Sequence, residues 1–354
     1  MRWMYPMLFL AVFILLGASK CSDNTATPVK IYCSIKSDGS QFMCVDNSLS
    51  IATMGRPFYV NEDMIVQLGD RLSKREPGGS LTNLSPDGLS ITDHQYLAID
   101  HDRHILYFSG NYSIYQVGFN GENCSQISPT DGLYTAPALS SCGNYLTAIR
   151  DQQIARMNLQ TGEWIVLPSP VTAFYATYIG ETGEYYFFSR HVDHNMPEMA
   201  LCKLSAQQDS TQILFLYDSD IPKLYNAQCS PDFRYFAMHR MIEPRGEWGL
   251  FSSYWTRFNS DLQVYDRQIQ QSFTIPNCYS YSFSPDKASL LYSRENHRMS
   301  DLMRLDLATR ESSMIWDGYV RPNHYSYSTT EIFPLEAGQK IHLQVWERRW
   351  REED

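Results

Sequence analysis

The sequence predicts an all-β fold, a β-propeller of four-stranded antiparallel blades, and three observations predict it. A turn followed by a seven-residue run of strand formers recurs five times, and the stretches between copies divide into further short strands. Beyond the apolar N-terminal segment, no long stretch carries the 3.6-residue periodicity of an amphipathic helix.

The chain opens on Arg2 and an apolar run from Met7 to Ala18, which Ser19 and Lys20 end. A membrane-spanning helix needs roughly 20 apolar residues, so this shorter run reads as a secretory signal peptide over residues 1–20. Cys21 then stands where the acylated cysteine of a bacterial lipoprotein would, behind Leu16, Gly17, Ala18 and Ser19, although Lys20 replaces the small residue expected before it. Either Cys21 is a lipid-bearing N-terminus or cleavage falls after Ser19. Both place the protein outside the cytoplasm, in the periplasm, anchored to the outer membrane or secreted, touching a membrane only through Cys21. A linker over 21–30, one propeller over 31–348 and a polar tail over 349–354 complete the organisation.

Removing residues 1–20 takes away Arg2 and Lys20 and no acid, so the formal charge of −10 becomes −12. An acidic exported chain lacks the basic field that binding to phosphates requires, which excludes nucleic acid as a partner. The cysteines form no CxxC pair, so they do not read as a zinc site. A hairpin turning at Asp38-Gly39 sets residues whose numbers sum to 77 opposite one another, which makes Cys33 and Cys44 the candidate disulfide; two buried thiols are the alternative.

The clearest copies of the repeat are Ser230-Pro231-Asp232-Phe233 before RYFAMHR and Ser284-Pro285-Asp286-Lys287 before ASLLYSR. Ser140-Ser141-Cys142-Gly143 before NYLTAIR, Glu181-Thr182-Gly183 before EYYFFSR and His101-Asp102-Arg103-His104 before ILYFSGN align with them. One strand precedes each turn and two follow the seven-residue run, as in QIARMNLQTGEWIVL and LMRLDLATRESSMIW, so each unit is a four-stranded meander. Five units span about 91–317, and FYVNEDMIVQLGDRLSKREPGGSLTNL supplies another. The Asp38-Gly39 hairpin and a late strand, KIHLQVWE, remain at the two ends. Pairing them closes the ring without free edges and gives seven blades, with six as the alternative.

At these residues the chain resembles the TolB-like branch of the WD40-like β-propeller repeats, which carry Ser-Pro-Asp-Gly between inner strands and a later strand of the IYxVDxxTGE kind. Two copies here keep Ser-Pro-Asp, and Phe233 and Lys287 replace the glycine. The resemblance implies the propeller fold and protein interactions in the cell envelope. It does not imply one activity, because propellers host many.

In such a meander, the connections from second to third strand and the links between units emerge on one face, here the link face. The remaining turns emerge on the other, the turn face. Second-to-third connections vary in length in this sequence, as expected of a scaffold presenting a binding surface. Arg150, Arg190, Arg240 and Arg294 share one register at the end of the second strands, where they could grip carboxylates or pair with acids of their own blades. The longest connection, about 241–260, carries Glu243, Arg245, Trp248, Tyr254 and Trp255, a mixture suited to glycan or peptide recognition or to a local core over the channel mouth.

His191, His194, His239 and His297 are candidate metal ligands that come from several blades without a defining spacing. No GxSxG elbow or Gly-rich phosphate loop is present. The reading is a monomeric, non-enzymatic binding or scaffold propeller with no cofactor, whose partner is an envelope protein or a glycan. The alternative is a metal-dependent lyase or hydrolase of acidic oligosaccharides. For that alternative, resemblance to oligogalacturonate lyases implies a divalent ion on those histidines and uronate carboxylates on the arginines.

Overall fold

The computed structural model describes residues 29–349 except 37–42, 47–57, 61–62, 69–70, 77–79, 93–95, 169–171, 194–195, 208–209, 218–226, 242–259, 285, 297–298, 318, 321–324 and 335–339. Every element within these bounds is a strand or turn.

Six four-stranded antiparallel sheets follow one another along the chain, over 58–83, 97–126, 134–167, 172–217, 228–275 and 278–316, each a meander in simple sequence order. The seventh sheet has five strands and is built from both ends of the chain. Its order is Met43–Asp46, Val29–Lys36, Lys340–Arg349, Tyr325–Pro334 and Tyr319–Val320. Val29–Lys36 pairs with Lys340–Arg349 over eight residue pairs, from Val29 opposite Glu347 to Lys36 opposite Lys340, as the leftover strands led us to expect. Cys33 lies opposite Cys44, the register read from the Asp38-Gly39 turn. Their side chains, residues 1–28 with Cys21, and the tail from 350 lie outside what is described.

Consecutive sheets pack face to face, which explains why the second strands are almost continuously apolar rather than alternating. Tyr145–Arg150 and Ile105–Gly110 are buried on both faces because each lies between two neighbouring sheets. Leu146 and Ala148 of the third sheet pack with Ala98 and Tyr107 of the second, and Phe236 and Met238 of the fifth with Tyr186 and Phe188 of the fourth. Outermost strands are wetter: in Ser312–Trp316 only the last residue is buried.

The repeat residues earn their recurrence in the turns. Ser230 Oγ accepts the Tyr235 N–H at 2.9 Å and donates to Asp232 Oδ1 at 2.5 Å, while Asp232 Oδ1 also accepts the Arg234 N–H at 3.1 Å. Ser140 Oγ does the same for Tyr145 N–H at 3.1 Å, and Asp286 Oδ1 accepts Ala288 and Ser289 N–H at 3.0 and 3.2 Å. Between third and fourth strands the acceptors are Asn158, from Gln160 and Thr161 N–H, and Asp306, from Ala308 and Thr309 N–H. Short polar side chains thus bond the amides that the turn would otherwise leave unpaired.

Candidate functional site

On the link face, second-to-third connections fall into two kinds. The second and third sheets close with two-residue turns, Asn111-Tyr112 and Asp151-Gln152, each with both residues at positive φ, the mirror-image geometry of tight hairpins. The fourth and sixth continue beyond Arg190 and Arg294 as paired strands. His191 lies opposite Glu198 and Asp193 opposite Met196; Glu295 lies opposite Ser300 and Asn296 opposite Met299. Residues 191–193 and 196–198 thus form a hairpin extension of the fourth sheet.

Arg150 does not reach freely into the channel mouth. Its Nη2 donates to the Asp131 carbonyl at 2.8 Å and pairs with Asp131 Oδ2 at 3.0 Å, and its Nε lies 3.7 Å from Asp151 Oδ2. Gly132 leaves room for this, since a Cβ there would stand 2.5 Å from Arg150 Nε. Arg294 pairs with the buried Asp301 at 3.2 Å. Both described arginines of the ring thus bind acids of their own or an adjoining segment. The backbone of Arg190 pairs with Thr172 and Met199, and that of Arg240 with Asp261. Beside Arg150 the surface turns apolar: Tyr112 and Leu133 are 53% and 56% exposed and adjoin through the Tyr134 N–H to Tyr112 carbonyl bond of 2.7 Å.

His239 packs inward. Its ring meets Tyr281 edge to face with centroids 4.9 Å apart, and Nε2 lies 3.7 Å from Cys278 Sγ. Burial pushes its pKa down to about 4 and holds the Cys278 thiol well above its usual value, so the two are a neutral pair. Among the described residues, no three His, Cys, Asp or Glu side chains are grouped to hold a metal ion. His194, His297, Glu243, Arg245, Trp248, Tyr254 and Trp255 lie outside the described residues, as do the side chains of His191, Arg190 and Arg240.

Sequence reading expected a central channel but named none of the residues that line the space there. A cavity of about 290 Å³ lies between the first strands of the second to sixth sheets, which therefore line the axis. It sits toward the turn face, reaching Ser230, Pro231 and Phe233. Tyr96 and Tyr175 stack in its wall with centroids 5.0 Å apart and planes at 24°, and Tyr175 Oη lies 3.5 Å from Cys229 Sγ. These contacts tie the second, fourth and fifth sheets together across the small Ala138 of the third. Burial holds the Tyr175 phenol well above its usual pKa and pushes the Cys229 thiol up to about 11, so neither is charged near neutrality. Phe233, in the place of the motif's glycine, was the signal available in the sequence.

No family model matches the chain. Comparison with curated proteins finds no match either. Among solved structures, hydrazine synthase from Kuenenia stuttgartiensis is similar with a TM-score of 0.55 at 11% identity, over 83% of this chain and 93% of that one. A TolB from Agrobacterium tumefaciens is similar with a TM-score of 0.48 at 11% identity, over 91% of this chain and 99% of that one. TolB from Acinetobacter baumannii gives 0.46 at 14% identity, over 91% and 66%. Likeness at such identity bears on fold alone, and that to the hydrazine synthase agrees with the β-propeller read from the repeats.

Proposed function

We propose that this chain is an exported propeller that binds a partner without catalysis, using the link face. The carrying observation is the adjoining exposed pair Tyr112 and Leu133, flanked by the Asp131–Arg150–Asp151 ion pairs. An exposed aromatic and aliphatic centre with a hydrogen-bonded charged rim is the composition of a protein interface, where large apolar side chains supply the energy and paired charges the register. The hairpin extensions of the fourth and sixth sheets stand on the same face. The partner class this favours is a protein of the cell envelope, with a glycan as the other candidate. Arg150 and Arg294, bound to their own acids, support structural roles for these two rather than capture of uronates.

The test is a binding comparison in the envelope fraction of the source cell. Tyr112→Ser with Leu133→Ser should abolish capture of a partner that wild type retains, while leaving the unfolding midpoint within a degree or so. A substitution on the turn face, such as Lys287→Glu, should leave capture intact. Equal capture by wild type and the Tyr112/Leu133 variant would refute the link face, and recovery of the protein from the cytoplasm would refute export.

A further inference from the structure

We propose that the axial cavity is a second site, separate from the link face, which takes a small uncharged planar aromatic molecule of one or two rings. Its size sets the first limit. About 290 Å³ lies at the lower end of the roughly 300–1,000 Å³ of small-molecule pockets, enough for one or two rings.

Chemistry sets the second. Among the described residues that line the cavity, none carries a formal charge. An anion would find no guanidinium or ammonium there, and a cation no carboxylate, so either would lose hydration without a partner. Nor do the tyrosines form a cation cage: Tyr96 and Tyr175 give one face of each ring to the other. What remains is flat apolar contact from Tyr96, Tyr175, Phe233 and Phe283, with uncharged polar groups beside it, Gln228 and Ser230 among them. The Gln228 amide is held in place by donating Nε2 to the Tyr281 carbonyl at 3.2 Å.

Backbone strain around the cavity supplies an independent argument. Phe233 has φ 57°, in the left-handed region that the glycine of the repeat motif would occupy freely. A bulky side chain there is uncommon and costs free energy. Its ring lines the cavity and packs against the core between the fourth and fifth sheets. Ala136, beside cavity-lining Pro137, is a second strained position at φ 51°, within the irregularity between Thr135 and Ala138. Two strained non-glycine residues thus adjoin one cavity, and one of them places an aromatic ring in its wall.

The experiment keeps the ring system and varies its charge. Purified mature protein is titrated with indole, with tryptamine and with indole-3-acetate, and followed by calorimetry and thermal unfolding at pH 7. Indole should bind and raise the midpoint, with the charged analogues at least tenfold weaker. Phe233→Gly restores the motif residue and relieves the strained φ, which offsets part of the packing lost with the ring, so it should still unfold in one cooperative transition and bind indole at least tenfold more weakly, while Phe233→Tyr retains binding. The proposal fails if indole does not bind, if either charged analogue matches it, or if Phe233→Gly binds as wild type does. Partner capture through Tyr112 and Leu133 is unaffected by any of these outcomes.

Discussion

Phe233 and Lys287 occupy the same place in the turns of the fifth and sixth sheets, each in the left-handed region, at φ 57° and 62°. Gly143 and Gly183 hold the corresponding place in the third and fourth sheets at φ 69° and 74°. Left-handed φ costs an L-residue about 1–2 kcal/mol, and only Phe233 has a cavity wall to offset it. Lys287 is exposed, so its strain has no such counterpart. Lys287→Gly should therefore stabilise the protein by about 1 kcal/mol, less the entropy of a freer unfolded chain. Chemical denaturation measures this, and a lower midpoint for the variant would show that the turn does not need a glycine.

A second contact between sheets joins Cys142 to Gly180. A Cβ on Gly180 would lie 2.5 Å from Cys142 Sγ and 2.9 Å from its Cβ, while the Gly180 N–H donates to Ser141 Oγ at 2.8 Å. Gly180→Ala should cost about 1–3 kcal/mol by overpacking, and adding Cys142→Ala should recover the part due to sulfur. Cys142 is exposed, whereas burial pushes the thiol of Cys202 to about 12 and that of Cys229 to about 11. Titration with a disulfide reagent should lose one rapidly reacting equivalent in Cys142→Ser. An unchanged burst would place the reactive thiol elsewhere.

Legibility of the fold and of the site differed for a physical reason. Each unit announces itself locally, because Ser230, Asp232 and Asp286 act on amides within a few residues of themselves. The terminal pairing followed by elimination, since Val29–Lys36 and Lys340–Arg349 were the strands left without partners. The cavity's only local signature is Phe233 in the place of the motif's glycine; Tyr96, Tyr175 and Phe233 meet only when sheets far apart in sequence converge on one axis. Likewise His239 read as a metal candidate by residue type, and only the packing of the fifth sheet against the sixth sets it beside Cys278 and Tyr281.

His239 gives the protein a pH dependence whose sign follows from its surroundings. Burial lowers its pKa from 6.5 to about 4, so below pH 6.5 the unfolded chain takes up a proton that the folded chain refuses. Stability should fall as pH drops from about 6.5 toward 4, by at most about 3 kcal/mol, and this contribution should then level off. His239→Phe should flatten that window. Denaturation midpoints at pH 7, 6, 5 and 4 measure it, and an equal slope in both proteins would assign the loss to other groups.

Asp266 titrates in the opposite sense and in a lower window. Its carboxylate is forked by Arg234, with Nη2 at 2.7 Å and Nε at 3.1 Å from Oδ2, and accepts the Gln268 N–H at 2.9 Å. Burial alone would raise its pKa, but Arg234 and the backbone amides outweigh burial and hold it below 3.8. The stability it supplies is present above that value and is lost as pH falls through the lowered folded value. Asp266→Asn should cost about 1.5–3 kcal/mol at pH 7, the range for a charge-assisted hydrogen bond, and weaken the junction of the fifth sheet's third and fourth strands. The deficit should shrink at strongly acid pH, where the wild-type carboxylate itself becomes protonated. A deficit that stayed constant down to pH 2 would mean that shape, not charge, makes Asp266 matter, and Arg234→Met would then be expected to cost little.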